Sequence, residues 1–274
     1  MKTIIATTDF TRESRTAVNY AARLALLMKA ELLLLHASYI PVVSDSFIDV
    51  STTLDEIVKS DKQKMDELVK HVSSKMGPAL RIKGNSEIGL TGELIEEYAS
   101  KDKDTLVVIG MKHVDKFSEV VFGNTATNLA GELPCPILAI PPDARFRPWK
   151  KIAFAFDQKQ VPVHTGLHLL KAMAEKFQPK MHYVHVMDSP FNAKDKSSIQ
   201  PVEKIIGGES QVHFLKDLPG ETTEVINDWV RRFKSNIVVM VARKHNIFWK
   251  IIYPSHTRQM AFKSSVPVLI LSEQ

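Results

Sequence analysis

The chain has 274 residues, and its 44% hydrophobic and 24% charged residues exclude a disordered, collagen-like or disulfide-rich protein. With a single cysteine, Cys135, and an N-terminal apolar run too short for a signal peptide, the sequence predicts a cytoplasmic protein without membrane contact. The net charge of +5 is uneven, because residues 1–143 carry 16 Lys and Arg against 20 Asp and Glu, whereas residues 144–274 carry 20 against 11.

The first half of the chain alternates between strand-like and helical periodicity. An apolar strand ends at Asp9, a helical repeat follows, and a second strand runs over residues 32–36. Thr53 and Glu56 form a candidate capping box, which predicts that a long helix begins there. With the helix that follows Gly92, the pattern predicts five strands separated by four helices.

The second half repeats this pattern, which indicates a tandem duplication. Residues 151–157 again form an apolar run that ends in aspartate. From His36 to Gly92 is 56 positions, but from His185 to Gly220 is only 35. We therefore expect the second copy to have lost most of the long helix.

Strands that alternate with helices predict an α/β protein with a parallel sheet and helices on both faces. In such sheets, ligands bind at the carboxyl ends of the strands, near the point where the strand order reverses. Asp9 and Gly110 lie at predicted strand ends of the first half, as Asp157 and Ala242 do in the second.

The segment between the two halves carries three prolines within residues 141–148, which disfavours a helix and favours an extended connector. We place the domain boundary at about residues 143–148. The predicted domains are residues 1–143 and residues 149–274, the latter with a shortened second helix region.

The residues at the predicted strand ends resemble the universal stress protein family in tandem form. Its nucleotide-binding members have an Asp after the first strand and, after the fourth, Gly, two residues, Gly, nine residues, then Gly and Ser or Thr. Asp9, Gly110 and Gly123 match this motif, and the nine-residue spacing is intact. His113 replaces the second glycine, and Asn124 replaces the Ser or Thr.

The resemblance implies two doubly wound, Rossmann-like domains of the adenine nucleotide alpha hydrolase-like type, packed through their last strands as an intramolecular pseudo-dimer. It also implies that the first half binds ATP or another adenine nucleotide, with or without Mg²⁺. Glycines and the free N–H groups that open a helix suit phosphate binding. The implied nucleotide-binding residues are Thr7, Asp9, Ala37, Ile109, Gly110, His113, Gly123, Asn124 and Thr125.

The second half has no glycine left in the motif. Its equivalent residues are Asp157, Ala242, His245, Ser255, His256 and Thr257. We expect this second site to be degenerate and to have lost nucleotide binding. Its basic loop, residues 243–245, could still accept an anion or be a solvated turn.

Neither the histidines nor any catalytic motif in the sequence predicts an enzyme. His36 and His185 occupy equivalent positions, which predicts a shared structural role. His164 and His168 have a spacing found in zinc sites, but no Cys, Asp or Glu completes the set, so no metal is expected. No nucleophile elbow or phosphate loop is present, and no general base is identified for slow nucleotide hydrolysis.

We interpret the chain as a stress-response or signalling module whose first half binds an adenine nucleotide and which pairs into a dimer. The alternative is a nucleotide-independent adaptor that acts through unknown protein partners, using the uneven charge and the apolar segment 248–253. Nucleic-acid binding by the basic half is disfavoured, because the Lys and Arg residues are dispersed and no binding module is found.

Overall fold

Ten strands form one sheet in the computed structural model, which describes residues 1–38, 50–102, 104–113, 120–121, 133–156, 166–187, 197–216, 222–242 and 264–272. The first half contains β1 (Thr3–Thr7), α1 (Arg12–Met28), β2 (Glu31–Ser38), α2 (Val50–Met76), β3 (Ile82–Ile88), α3 (Thr91–Ser100), β4 (Thr105–Gly110), β5 (Lys112–His113), β6 (Val120–Val121) and β7 (Ile137–Ile140). The second half contains β8 (Lys151–Phe156), α4 (Leu167–Phe177), β9 (Lys180–Met187), α5 (Gln200–Ile206), β10 (Ser210–Lys216), α6 (Thr222–Phe233), β11 (Ile237–Ala242) and β12 (Val268–Ser272).

The strand order is β10-β9-β8-β11-β12-β7-β4-β1-β2-β3. In this ten-stranded sheet the strand pairs within each half are parallel, whereas β7 and β12 pair antiparallel at the junction, with Leu269 opposite Leu138. The predicted α/β class and the packing through the last strands are confirmed. The short β5–β6 ladder lies outside this sheet and was not predicted; its two valines favour extended backbone.

Helices cover both faces of the sheet, as the nearly continuous burial of β1 and β4 requires. On one face, α1 packs with Ala17, Ala21 and Leu24 fully buried beside Ile4 of β1. Alanines let the helix lie close to the strands, because they have no long side chain to accommodate. On the other face, Ile95 of α3 packs in the second hydrophobic cluster.

The long helix α2 begins at Val50, so the predicted start at the capping box of Thr53 and Glu56 is wrong. Both residues lie inside the helix, because a Thr and a Glu are tolerated in a helix interior when tertiary packing decides its length. In the second half, α5 has seven residues where α2 has 27.

No helix in the described part of the chain is long and apolar enough to cross a membrane.

The linker between the halves is anchored in the core although it forms no helix or strand. Trp149 is fully buried, and its Nε1–H donates to Tyr20 Oη of α1 at 2.9 Å. The Trp149 ring also contacts Phe177 of α4, at 5.4 Å between centroids. Phe146 packs against Tyr20 and Phe177 as well. The linker therefore ties the first helix of one half to the first described helix of the other.

Candidate functional site

The carboxyl ends of three adjacent strands form the candidate site of the first half. β1 lies between β4 and β2, so the strand order reverses there. Thr7 ends β1, Ala37 lies near the end of β2, and Ile109 and Gly110 end β4. The structure brings these predicted residues to one edge of the sheet. Gly123, Asn124, Thr125 and the side chain of His113 lie outside the described residues.

Asp9 follows β1 and is held by the start of α1. Its Oδ1 accepts hydrogen bonds from the Thr11 N–H at 3.2 Å and from the Thr11 hydroxyl at 2.5 Å. Its Oδ2 lies 3.4 Å from Lys112 Nζ. Burial alone would raise the pKa of Asp9, but hydrogen bonds from Thr11 and Ser14 and the charge of Lys112 outweigh it and lower the pKa to about 2. Asp9 is therefore an ionised acceptor at neutral pH.

The lowered pKa of Asp9 predicts a loss of stability in acid. Stabilisation by this carboxylate is present above its ordinary pKa of 3.8 and is lost as the pH falls through about 2. We expect wild type to melt above Asp9→Asn at neutral pH and the gap to close between about pH 4 and pH 2. Melting curves across this range check the prediction, with Lys112→Met as the companion variant that removes only the ion pair. A gap that stays constant down to pH 2 would contradict it.

Gly110 also has a packing role, independent of any ligand. A Cβ on Gly110 would lie 3.2 Å from the Glu13 carbonyl oxygen and 3.4 Å from Ser14 Cα, in the first turn of α1. These backbone atoms cannot move aside as a flexible side chain could. A glycine here lets the end of β4 approach the start of α1, where helix N–H groups are free.

A polar cluster, made of His36, Asp61, Ser38 and Lys64, lies next to Thr8 and was not predicted from the sequence. Asp61 and Ser38 are buried, and Lys64 is about half exposed. His36 Nδ1 donates to the Thr8 carbonyl oxygen at 2.7 Å, and Nε2 lies 3.2 Å from Asp61 Oδ2. Asp61 also accepts from the Ser38 hydroxyl at 2.8 Å and from Lys64 Nζ at 3.0 Å.

Phe10 covers this polar cluster in an unusual backbone conformation. Its φ is 62°, in the left-handed region that a bulky residue rarely adopts. The Phe10 ring lies 4.4 Å from the His36 ring between centroids, and the Thr8 hydroxyl accepts from the Phe10 N–H at 3.0 Å. Such strain is often found where a structure is shaped for a ligand.

The second half repeats the hydrogen bond between a histidine and a strand-end carbonyl, but it does not repeat the polar cluster around that histidine. His185 Nδ1 donates to the Phe156 carbonyl oxygen at 2.8 Å, just as His36 bonds to the Thr8 carbonyl. The two histidines thus share the structural role predicted for them. His185 Nε2 is buried and has no partner among the described residues, since α5 supplies no counterpart of Asp61.

Of the predicted second site, the structure describes only Ala242, the last residue of β11. Asp157, His245, Ser255, His256 and Thr257 lie outside the described residues, as does the basic loop, and as does His164.

A histidine pair and the single cysteine are the other groups with potential metal or thiol chemistry in the described part of the chain. Within the described ranges, no three His, Cys, Asp or Glu residues are placed to hold a metal. His182 Nδ1 and His213 Nε2 lie 3.0 Å apart, and burial together with His213 lowers the pKa of His182 to about 4. Burial raises the pKa of the Cys135 thiol to about 12, so it is not a nucleophile at neutral pH.

The sequence of the first half matches a known protein family. The sequence model of the universal stress protein family matches residues 1–141. No curated protein matches the chain.

Solved structures share the fold at low sequence identity. A universal stress protein from Archaeoglobus fulgidus DSM 4304 has a TM-score of 0.72 at 15% identity and covers 98% of this chain and 96% of its own. A protein of unknown function from Pseudomonas aeruginosa PAO1 has a TM-score of 0.57 at 14% identity, covering 99% and 92%. A universal stress protein in complex with cAMP covers 47% of this chain and 100% of its own, at 13% identity and a TM-score of 0.36, which is too slight a likeness to carry an inference about ligands.

Proposed function

The chain belongs to the universal stress protein family, and we propose that its first half binds an adenine nucleotide as part of a stress-response or signalling module. The observation that carries this proposal is the ionised Asp9 at the strand-order reversal, within 3.4 Å of the Lys112 ammonium. A carboxylate only accepts hydrogen bonds, so it suits the donating hydroxyls of a ribose.

The phosphate groups of the nucleotide need positive charge and free backbone N–H groups. Lys112 is exposed and lies two residues after the end of β4, where phosphates would lie beside Ile109 and Gly110. The motif glycine Gly123, with Asn124 and Thr125, is proposed to complete the phosphate site with backbone and side-chain donors. ATP, alone or with Mg²⁺, is the proposed ligand.

The test compares wild type with Gly123→Asp, which would set a carboxylate against the phosphates. At 100 times its Kd, a ligand of the folded state adds about 2.7 kcal/mol, which predicts that ATP with Mg²⁺ raises the wild-type Tm by about 5 °C or more. We expect Gly123→Asp to abolish this shift without lowering the Tm of the free protein. Ser255→Asp, the same change at the equivalent position of the second half, is the matched control and should leave the shift intact.

The outcome decides between the nucleotide and the adaptor proposals. Equal shifts in wild type and Gly123→Asp would remove this site from consideration. No shift, and no adenine nucleotide released when purified protein is denatured, would overturn nucleotide binding. The adaptor proposal would then take its place.

We further propose the domains 1–143 and 149–274, a cytoplasmic location and a homodimer. The uncompensated positive charge of the second half supports a role in contacts with protein partners rather than in nucleotide binding.

A further inference from the structure

Two cavities flank the linker where it runs between the halves. The first, of about 500 Å³, is lined by one face of α1, by Lys75 at the end of α2 and by linker residues. The second, of about 380 Å³, lies between the linker and the residues that precede β11 and β12. Tyr20, Arg145 and Arg147 line both cavities. Together we call the two cavities the linker cleft.

The linker cleft is lined by positive charge. Arg23, Lys75, Arg145 and Arg147 line the first cavity, and no carboxylate is among its described lining residues. Lys234 adds a further charge to the second. Phe146 is half-buried against the Tyr20 ring, 4.9 Å between centroids, while Arg145 and Arg147 on either side of it are exposed.

These cations have no ion-pair partner among the residues that the structure describes. Within the described part of the chain, none of the five lies within 4.0 Å of a carboxylate. The acidic residue of the second cavity, Asp143, pairs with Arg12 at 3.6 Å. Like charges that face one cavity repel each other, so an anion that enters it is favoured.

Neutral donors in the second cavity also lack partners. Ser235 is only 5% exposed, and its hydroxyl has no hydrogen-bond partner among the described residues. A buried polar group without a partner is uncommon in a folded protein and calls for an explanation. Asn236 Oδ1 accepts from the backbone N–H groups of Lys150 and Lys151, at 2.7 and 2.9 Å, which leaves its amide N–H groups to donate.

We propose that the linker cleft binds a small molecule with at least two phosphate groups, one in each cavity. Arginine forks bind phosphate oxygens in a bidentate manner, and the shared Arg145 and Arg147 can contact both groups. Hydroxyl and amide donors of Ser235 and Asn236 suit the same oxyanion chemistry. This site contains none of the residues of the proposed nucleotide site.

The test titrates the full chain with tripolyphosphate by calorimetry. We expect Arg145→Gln with Arg147→Gln to weaken binding about tenfold or more, because each removes a charge-assisted hydrogen bond. The control variant, Lys204→Gln with Arg232→Gln, removes the same charge from exposed positions of α5 and α6 and should bind as wild type does. No wild-type binding, or equal weakening in both double variants, would overturn the proposal.

Two single variants separate this site from its alternatives. Ser235→Ala should weaken tripolyphosphate binding a few-fold, about the loss of one neutral hydrogen bond, without lowering the Tm of the free protein. A lower Tm with unchanged binding would instead assign Ser235 a structural role and count against its part in the site. Repeating the titrations in the Gly123→Asp background removes any tripolyphosphate bound at the proposed nucleotide site. Arg145→Gln with Arg147→Gln should still weaken binding about tenfold there, so failure of the nucleotide proposal and failure of this one give different results.

Discussion

Trp149→Ala is expected to lower the free energy of unfolding by about 3–5 kcal/mol, the cost found for deleting a large buried aromatic side chain. Trp149 is fully buried between Tyr20 of α1 and Phe177 of α4, so its removal leaves a cavity at the junction of the two halves. Urea unfolding measures the change, and the loss should be accompanied by earlier cleavage of the linker by a protease.

Two conservative variants divide the contribution of Trp149 into packing and hydrogen bonding. Trp149→Phe keeps most of the ring volume but leaves the buried Tyr20 hydroxyl without its donor, at a cost of about 1–3 kcal/mol. Tyr20→Phe removes the acceptor of the same bond. Non-additive costs in the double variant would show coupling between the two side chains. If Trp149→Ala loses less than about 1 kcal/mol, Trp149 does not join the halves as described.

Asp61→Ala is expected to have a comparably large effect, about 2–5 kcal/mol, because it leaves mostly buried polar groups without their hydrogen-bond partner, at about 1–3 kcal/mol each. The Ser38 hydroxyl and the His36 ring both lose their contact with the Asp61 carboxylate. Asp66→Ala is the matched control, since Asp66 lies exposed on the same helix. Urea unfolding of both variants should show a large loss for Asp61→Ala alone.

The difference in stability between wild type and Asp61→Ala should depend on pH. Burial raises the pKa of Asp61, but hydrogen bonds from Lys64 and Ser38 and the charge of His36 lower it overall. A lowered folded-state pKa contributes stability above the unfolded-state pKa, and this is lost as the pH falls through the folded value. The gap between wild type and Asp61→Ala should therefore narrow in acid. Equal stability of the two at neutral pH would show that the ion pair contributes nothing.

The fold could be predicted because its signals are local and repeated. Apolar runs ending at Asp9 and at residue 157 mark the first strand of each half, and the helical spacing between strands fixes the α/β class. The start of α2 could not be predicted, because the capping box at Thr53 is a local preference that tertiary packing overrides. The β5–β6 ladder is too short to produce a periodic signal.

For the candidate site, the sequence predicted the residues at the strand ends but not the polar side chains that surround them. The motif identifies Asp9 and Gly110, but it gives no sign of the polar cluster around His36. One signal was present: Ile57, Met65 and Leu68 define the apolar face of α2, and Asp61 falls on that face at helical spacing. A carboxylate at a core position needs a polar partner. The His36 partner of Asp61 lies 25 residues away in the sequence, on strand β2, and cannot be identified from spacing.

The antiparallel pairing of β7 with β12 has a consequence for how the two halves can bind ligands. Because the two halves run in opposite directions, the carboxyl ends of their strands lie at opposite edges of the shared sheet. A ligand at the end of β1 and a ligand at the end of β8 would therefore approach the protein from opposite sides. Neither would compete with the other for space, and a substitution at one edge would leave the other edge unchanged.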